Sequence, residues 1–162
     1  MIDQCKRPSR RHALFGLSGA IASSLIPQAA LAQPVLVEMH RTSGCACCLV
    51  WAKRIEAAGF KVTARELTMG ELMRMKLDAG LKHDQASCHT ARVDDYTIEG
   101  HVPPTEIKRL LLERPQAAGL TVPGMPIGSP GMEAGNRQDA YDVLLFRKDG
   151  PTEIFASYPA KT

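Results

Sequence analysis

The sequence has few aromatic residues, no apolar segment long enough to span a membrane, and no recognisable acid–base pair. Aromatic residues make up 5% of the 162 residues, and tryptophan occurs once. The apolar run Ala13–Ile26 has 14 residues, fewer than the ~20 that a membrane-spanning helix needs. Glu99, Glu133 and Asp142 show no pairing pattern for general acid–base catalysis, and no Ser/His/Asp arrangement is indicated. These absences argue against a retained membrane anchor and against hydrolases of those types.

Net charge is also lacking once the first 32 residues are set aside. The whole chain carries a formal charge of +3 and has a sequence pI of about 8.7. Of its 20 basic and 17 acidic residues, four basic residues and one acidic residue precede Gln33, which leaves 16 of each sign from Gln33 onward. No basic patch with interleaved aromatic residues remains. We therefore expect no nucleic-acid partner.

The first 32 residues have the pattern of an export signal. A basic start precedes the apolar run, and Ala30-Leu31-Ala32 matches a cleavage site. Arg10-Arg11 also matches the twin-arginine signal in part, although Ala13 stands where an aromatic residue is usual. We predict a signal peptide over residues 1–32 and export to the periplasm by the Sec or the twin-arginine route. A single domain over residues 33–162 would follow, with no stable membrane anchor after cleavage.

Four of the five cysteines lie after residue 32, and they occur at only two places in the sequence: Cys45, Cys47, Cys48 and Cys88. In an oxidising compartment, an even number of cysteines suggests disulfides. A bridge between Cys47 and Cys48 would be strained, so the candidates are Cys45–Cys48 and a bridge from the cluster to Cys88. The clustering favours a reactive or metal-binding site, and a purely structural disulfide is the alternative.

Alternating and helical patterns predict a mixed α/β chain. The predicted strands are Val35–Met39, Phe60–Glu66, a hairpin or bent strand over Ala91–Ile98, and a C-terminal β-hairpin of Tyr141–Phe146 with Glu153–Tyr158. The predicted helices run from Cys48 to Gly59, from Gly70 to Ala79 and from Thr105 to Arg114. The five glycines and three prolines between Gly119 and Gly135 predict an irregular segment there.

This order of elements predicts a mixed sheet flanked by helices, and the position of the thiols makes it thioredoxin-like. Thiols directly after the first strand, at the start of a helix, are typical of the thioredoxin-like fold. In that fold a cis-proline faces the thiols. Pro123 and Pro126, in the Gly/Pro segment before the final hairpin, are the candidates for it.

Cys45 and Cys48 have the spacing of a C-x-x-C motif at a helix N-terminus. The helix dipole and the free N–H groups there stabilise thiolates, which lowers the thiol pKa and raises both nucleophilicity and metal affinity. Cys47 lies inside the pair. A dithiol enzyme has no use for a third thiol at that position, whereas a copper site with bridging thiolates does. The third thiol therefore favours metal binding.

Further candidate donors follow along the chain. Cys88 has the polar neighbours Ser87 and His89, which argues against a buried apolar thiol and for a ligand or a resolving thiol. On an extended segment Cys88 and His89 would point to opposite faces, so His89 is either a ligand or a hydrogen-bonding neighbour. His101, on a loop, is either a ligand or a scaffold residue. Met125, in the Gly/Pro segment, offers a thioether suited to Cu(I).

Four motifs occur in order along the chain: Cys45-Ala46-Cys47-Cys48-Leu49-Val50-Trp51, Ser87-Cys88-His89-Thr90, Ile98-Glu99-Gly100-His101-Val102-Pro103 and Val122-Pro123-Gly124-Met125-Pro126-Ile127-Gly128-Ser129-Pro130-Gly131-Met132-Glu133. Together they resemble the DUF411 family of small periplasmic copper-handling proteins, which includes CopG-type copper resistance proteins. The resemblance implies a thioredoxin-like fold and copper binding outside the cytoplasm. It implies thiol ligands at all four clustered cysteines, and matching motif positions for His89, His101, Met125 and Met132. Ala46 departs from the pattern, in which glycine is frequent.

We therefore predict a periplasmic copper-binding protein that holds Cu(I) in its cysteine cluster and sequesters, relays or redox-buffers copper. Its expected partners are copper ions and other periplasmic copper-resistance proteins. The alternative is a thiol–disulfide oxidoreductase in which Cys45 attacks and Cys48 resolves, so enzymatic activity stays open. A structural zinc module is a third interpretation, but the 130 residues from Gln33 onward are enough to build a core without a metal.

Overall fold

The computed structural model describes residues 33–162, so the predicted signal peptide lies outside the described residues. Within this range the chain forms seven strands and three α-helices, with a short 3-10 turn at His83–Gln85. In chain order they are β1 Leu36–Arg41, α1 Ala46–Ala57, β2 Lys61–Glu66, α2 Met69–Asp78, β3 His89–Val93, β4 Tyr96–Glu99, α3 Pro104–Glu113, β5 Gly119–Thr121, β6 Tyr141–Phe146 and β7 Glu153–Tyr158. No helix in this range is long and apolar enough to cross a membrane.

The seven strands form one mixed sheet in the order β2-β1-β3-β4-β5-β6-β7. β1 is parallel to β2 and β4 is parallel to β5, whereas the other neighbours run antiparallel. Both parallel pairs are joined through a helix, because parallel neighbours need a crossover connection. β6 and β7 form the predicted C-terminal hairpin. The predicted α/β fold class, a thioredoxin-like mixed sheet flanked by helices, is confirmed.

The main core lies between the sheet and helices α1 and α3. Trp51 of α1 and Ile107 of α3 are fully buried in the same apolar cluster. Side chains alternate between the two faces along β3, so His89 contacts the Trp51 ring while Thr90 contacts Lys76 of α2. Helix α2 therefore covers the opposite face of the sheet, behind the strand that follows Cys88.

Strand β5 is an element that the sequence did not predict. The segment Gly119–Gly135 was expected to be irregular throughout, which is wrong for its first three residues. A Cβ atom on Gly119 would lie 1.7 Å from the carbonyl oxygen of Thr97. The parallel pairing of β4 with β5 therefore requires glycine at position 119, although a glycine in the sequence alone predicts an interruption of regular structure.

Cys88 lies opposite the cysteines of α1. Every peptide bond within residues 33–162 is trans, so the expectation of a cis-proline at Pro123 or Pro126 is wrong. Cys88 directly precedes β3, and the first residue of β3 pairs with Arg41, the last residue of β1. Since α1 follows β1, and β3 runs antiparallel to β1, the start of α1 and the start of β3 lie next to each other at the same end of the sheet.

Candidate metal centre

Three cysteines lie at the start of α1. Gly44, with φ of +78°, turns the chain after β1, Cys45 precedes the helix, and Cys47 and Cys48 lie in its first turn. No side chain caps this helix start, so its free backbone N–H groups are available to stabilise thiolates. Cys45 and Cys48 form a disulfide with Cα atoms 5.5 Å apart, while Cys47 and Cys88 are free thiols. This disulfide is one of the two pairings that the sequence left open.

Cys88 completes a cluster of four sulfur atoms. Its Sγ atom lies 3.6 Å from that of Cys48 and 4.0 Å from that of Cys47, and the Sγ atoms of Cys45 and Cys47 are 3.6 Å apart. All four sulfur atoms lie within 4.8 Å of one another. Cys48 is buried, and the other three are partly exposed. The structure thus brings the four predicted cysteine donors together at one place.

Two imidazoles lie on the other side of Cys88. Its Sγ is 3.3 Å from Nδ1 of His89 and 3.1 Å from Nε2 of His101, and the three residues form a second donor group. The expectation that Cys88 and His89 point to opposite faces is wrong. Cys88 lies before the first residue of β3, so strand alternation does not govern its direction.

The protonation of His101 is fixed by a backbone group. Its Nδ1 lies 2.8 Å from the carbonyl oxygen of Pro130, and because a carbonyl only accepts, Nδ1 must carry the proton. In the neutral ring Nε2 then carries no proton, and this atom faces Cys88, as in metal-binding histidines whose other nitrogen donates to the protein. Burial lowers the pKa of His101. Burial first, and then the charges of His101 and Lys76, lower the pKa of His89 well below its usual value. Both rings are thus neutral near pH 7, the form that binds metals.

Cys88 keeps its proton in the metal-free protein. Burial, reinforced by the neighbouring Cys47, raises the pKa of Cys88 to about 12. A thiol binds metal as the thiolate, so metal binding at Cys88 must displace this proton. Binding is therefore expected to strengthen as pH rises.

The residues present fit a soft metal ion. Nε2 of His89 is buried and has no hydrogen-bond partner within the described part of the chain, which is unusual for a buried polar atom. The Trp51 ring packs against the His89 ring, with 4.4 Å between the ring centroids, and so forms one side of the site. The Trp51 Nε1–H group has its own hydrogen-bond acceptor, Val102 O at 2.9 Å. Thiolates with imidazole nitrogens are a donor set that suits Cu(I) and zinc rather than Mg²⁺ or Ca²⁺. The disulfide withholds two of the sulfurs until it is reduced.

The Gly/Pro segment lies beside the cluster and is held against α1. A Cβ atom on Gly131 would lie 2.8 Å from Trp51 N and 2.9 Å from Cys47 O, so this segment touches the helix backbone. The Glu133 carboxylate accepts from Gly131 N at 3.0 Å and from Arg54 Nε at 2.9 Å. This brings Met132 close to the start of α1.

Met125 lies at the other end of the same segment and is 52% exposed. Its neighbour Gly124 donates its N–H to Ala86 O at 3.2 Å and accepts from the Ser87 hydroxyl. The loop that carries Met125 is thus attached next to Cys88. The ligand role of Met125 stays a prediction.

Sequence reasoning missed a buried ion pair behind Cys88. Lys76 Nζ lies 2.5 Å from Glu99 Oε1, and both side chains are almost fully buried. Glu99 also accepts from Ser87 N at 2.6 Å and from Thr90 Oγ1 at 2.7 Å. Burial raises the pKa of Glu99, and Lys76 with the other two donors opposes that shift. One sequence feature could have indicated this pair: Glu99 is a carboxylate at the end of the otherwise uncharged strand Tyr96–Glu99. In the sequence, Glu99 was considered only as a candidate for acid–base catalysis.

The comparisons with known proteins agree with the predicted family. The family described as a protein of unknown function, DUF411, matches residues 85–132, which include Cys88, His89 and His101 but not the α1 thiols. Among solved structures, the chain is similar to two titled "Copper resistance protein copG", Form 1 and Form 2. Each is 43% identical with a TM-score of 0.73, and the match covers 78% of this chain and 98% or 99% of theirs.

No match is found among curated proteins. The likeness to the two solved structures extends over nearly their whole length, and the site is built from the motifs that predicted the family. The chain therefore belongs to the DUF411 family, together with the copper resistance proteins named copG.

Proposed function

We propose that this protein binds copper as Cu(I) in the cluster formed by Cys45, Cys47, Cys48 and Cys88. His89 and His101 provide nitrogen donors beside Cys88, and Met125 provides a thioether from the adjoining loop. The observation that carries the proposal is the group of four sulfur atoms within 4.8 Å of one another. Thiolate and thioether are the protein ligands that favour Cu(I). The relatives named copper resistance proteins support copper over zinc as the metal.

The task that we infer is copper handling outside the cytoplasm, by sequestration, relay or redox chemistry that limits copper toxicity. The export pattern of residues 1–32 supports a periplasmic location. The partners would then be copper ions and other periplasmic copper-resistance proteins that deliver or accept them.

Titration of the reduced protein against a competing Cu(I) chelator tests this function. The wild-type protein is expected to remove Cu(I) from the chelator, and Cys47→Ser to weaken binding, because it removes one sulfur of the cluster. Ser157→Ala, which changes an exposed side chain on β7, is the control. Weak binding that Cys47→Ser leaves unchanged would contradict the proposal. Zinc that persists through purification, with unfolding on chelation, would instead support a structural zinc site.

A thiol–disulfide oxidoreductase is a second candidate, and the Cys45–Cys48 disulfide favours it. In the oxidising direction for the protein, the Cys45 thiolate attacks a substrate disulfide and releases one substrate thiolate. Cys48 then attacks the mixed disulfide, which forms the Cys45–Cys48 bond and releases the second thiolate. The two functions meet if two Cu(II) ions take the two electrons of this dithiol, which yields two Cu(I), the disulfide and two protons.

A disulfide reductase assay tests the second candidate. Cys45→Ser is expected to abolish turnover, because the attacking thiol of the pair is lost, while Cys47→Ser retains it. Turnover that survives Cys45→Ser would exclude this mechanism without affecting the copper proposal.

The export proposal has its own test. Cell fractionation with N-terminal sequencing is expected to find a periplasmic protein that begins at Gln33. Replacement of Arg10-Arg11 by two lysines should block export only if the twin-arginine route is used. A cytoplasmic protein that retains residues 1–32 would contradict the proposed location.

A further inference from the structure

We propose that Glu99 and Lys76 are positioning residues of the copper site, which fix Cys88 and His89 in their donor geometry. This inference rests on the proposed function, since it concerns the same site. Within residues 33–162, neither side chain forms a hydrogen bond with a sulfur donor; their partners are Ser87, Thr90 and each other. They act through the backbone N–H of Ser87 and the side chain of Thr90, the two residues that flank the Cys88-His89 dipeptide.

The Glu99 carboxylate holds this dipeptide from both ends. Oε1 accepts from the backbone N–H of Ser87, the residue before Cys88, at 2.6 Å. Oε2 accepts from the hydroxyl of Thr90, the residue after His89, at 2.7 Å. Because both contacts come from one fully buried carboxylate, the two intervening donor residues have little freedom to move.

Lys76 holds the carboxylate in turn. Its Nζ donates to Glu99 Oε1 at 2.5 Å and to Thr90 Oγ1 at 2.9 Å, which closes a three-membered network. On α2 the lysine faces the sheet, whereas the apolar Met69, Met73 and Leu77 are exposed. Leu72 of the same helix is also buried, but a buried lysine beside three exposed apolar side chains departs from the usual amphipathic arrangement of a surface helix.

Stability alone gives a poor reason for this arrangement. Burying two charges costs desolvation free energy, and the attraction between the charges often only offsets that cost. Replacing such a pair by apolar residues is therefore frequently neutral or stabilising. A buried pair that contacts the residues on both sides of two metal donors is better explained by ligand placement. Groups that orient metal ligands typically change metal affinity by about 10- to 100-fold when they are removed.

Two double variants separate placement from charge. Lys76→Met with Glu99→Gln removes both charges but keeps an oxygen that accepts from Ser87 N. Lys76→Met with Glu99→Leu removes the charges and the acceptor together. The exposed pair Arg147–Glu153, with N···O of 2.8 Å, supplies the control as Arg147→Met with Glu153→Gln.

The first measurement uses the copper-free full chain with its disulfide intact. Iodoacetamide labelling of the Cys88 peptide, followed by mass spectrometry, should be several-fold faster in the Leu double variant. The Gln double variant and the surface control should match the wild type. Cu(I) affinity of the reduced protein, measured by chelator competition, should fall about 10- to 100-fold in the Leu variant and much less in the Gln variant.

Equal labelling rates and equal affinities in the Gln and Leu double variants would overturn the inference. If the Leu double variant does not fold, Thr90→Val decides, because it removes the hydroxyl contact at similar volume. An unchanged Cys88 labelling rate in Thr90→Val would then overturn the inference. Cys47→Ser tests copper binding separately, and the labelling experiment contains no copper, so failure of either proposal is distinguishable from failure of the other.

Discussion

Cys47 is the residue that separates this cluster from an ordinary C-x-x-C pair. The disulfide joins the residues on either side of it, yet Cys47 stays a free thiol whose Sγ lies 3.6 Å from that of Cys45 and 4.0 Å from that of Cys88. A redox pair does not consume this sulfur. It is therefore available as a metal donor in both oxidation states of the pair.

The raised pKa of Cys88 predicts an unusual pH profile of its reactivity. In the folded protein the pKa of Cys88 is raised from the ordinary thiol value of 9.0 to about 12, and the thiolate is the reactive form. In the copper-free protein the alkylation rate of Cys88 is therefore expected to keep increasing well above pH 9. In urea, where the burial is lost, the rate should level off near pH 9. Peptide mapping over a pH series measures both curves, and a folded-state curve that levels off at the same pH as the urea curve would refute the prediction.

Met125 is a residue whose ligand role a conservative change can isolate. Met125→Leu keeps the volume and removes the thioether, so the Cu(I) affinity of the reduced protein should fall. Met69→Leu is the matched control, because Met69 is an exposed methionine on α2, 65% exposed against 52% for Met125. Chelator competition compares the two. Equal affinities would remove Met125 from the ligand set and leave the cysteine cluster in place.

At the scale of elements, the site depends on contact between the Gly/Pro segment and α1. Two points hold that contact: the close approach of Gly131 to the helix backbone and the ion pair of Arg54 with Glu133. A third contact, from His101 to the Pro130 carbonyl, attaches the segment to the loop after β4. The segment therefore packs against the helix that carries Cys47 and Cys48, and it fixes the tautomer of His101.

Gly131→Ala tests this contact. The added Cβ would meet Trp51 N at 2.8 Å and Cys47 O at 2.9 Å, and backbone atoms yield little, so the segment must move away from α1. We expect a loss of about 1–3 kcal/mol in the free energy of unfolding beyond the cost of the positive φ itself. Urea denaturation measures the loss.

Gly135→Ala is the matched control for that experiment. Gly135 also has a positive φ, +59°, but a Cβ there meets nothing within 4 Å. Its substitution should cost only the backbone term, about 1–2 kcal/mol. If the two variants are equally stable, the segment is not packed against α1 as described.

At the scale of the whole molecule, the oxidation state of one disulfide decides how many donors the site offers. Reduction of the Cys45–Cys48 bond raises the number of free thiols in residues 33–162 from two to four. The reduced protein should bind Cu(I) more tightly than the oxidised protein and gain thermal stability from it, because a ligand that binds only the folded state stabilises it. Thermal unfolding with and without Cu(I), in both redox states, measures the difference. An equal shift in both states would contradict it.

Local pattern predicted most of the fold. The periodicity of the helices, the alternation of β1 and β2, and the Lys148-Asp149-Gly150 turn between β6 and β7 are short-range signals, and those elements lie within a few residues of their predicted bounds. β5 escaped prediction because its pairing depends on Thr97, distant in sequence. The direction of Cys88 escaped for a similar reason, since it is set by the residue's place before β3 rather than within it.

By itself, the sequence determined the donor chemistry: four clustered thiols, two histidines within motifs, and a family whose order of motifs is specific. Spacing and residue type are local properties, and they suffice to say which soft donors exist. Only the tertiary structure decided how they meet. The antiparallel pairing of β1 with β3 brings Cys88 to the start of α1, and burial sets the protonation of its neighbours. The Lys76–Glu99 pair behind them joins α2 to β4, a contact between residues that no spacing rule connects.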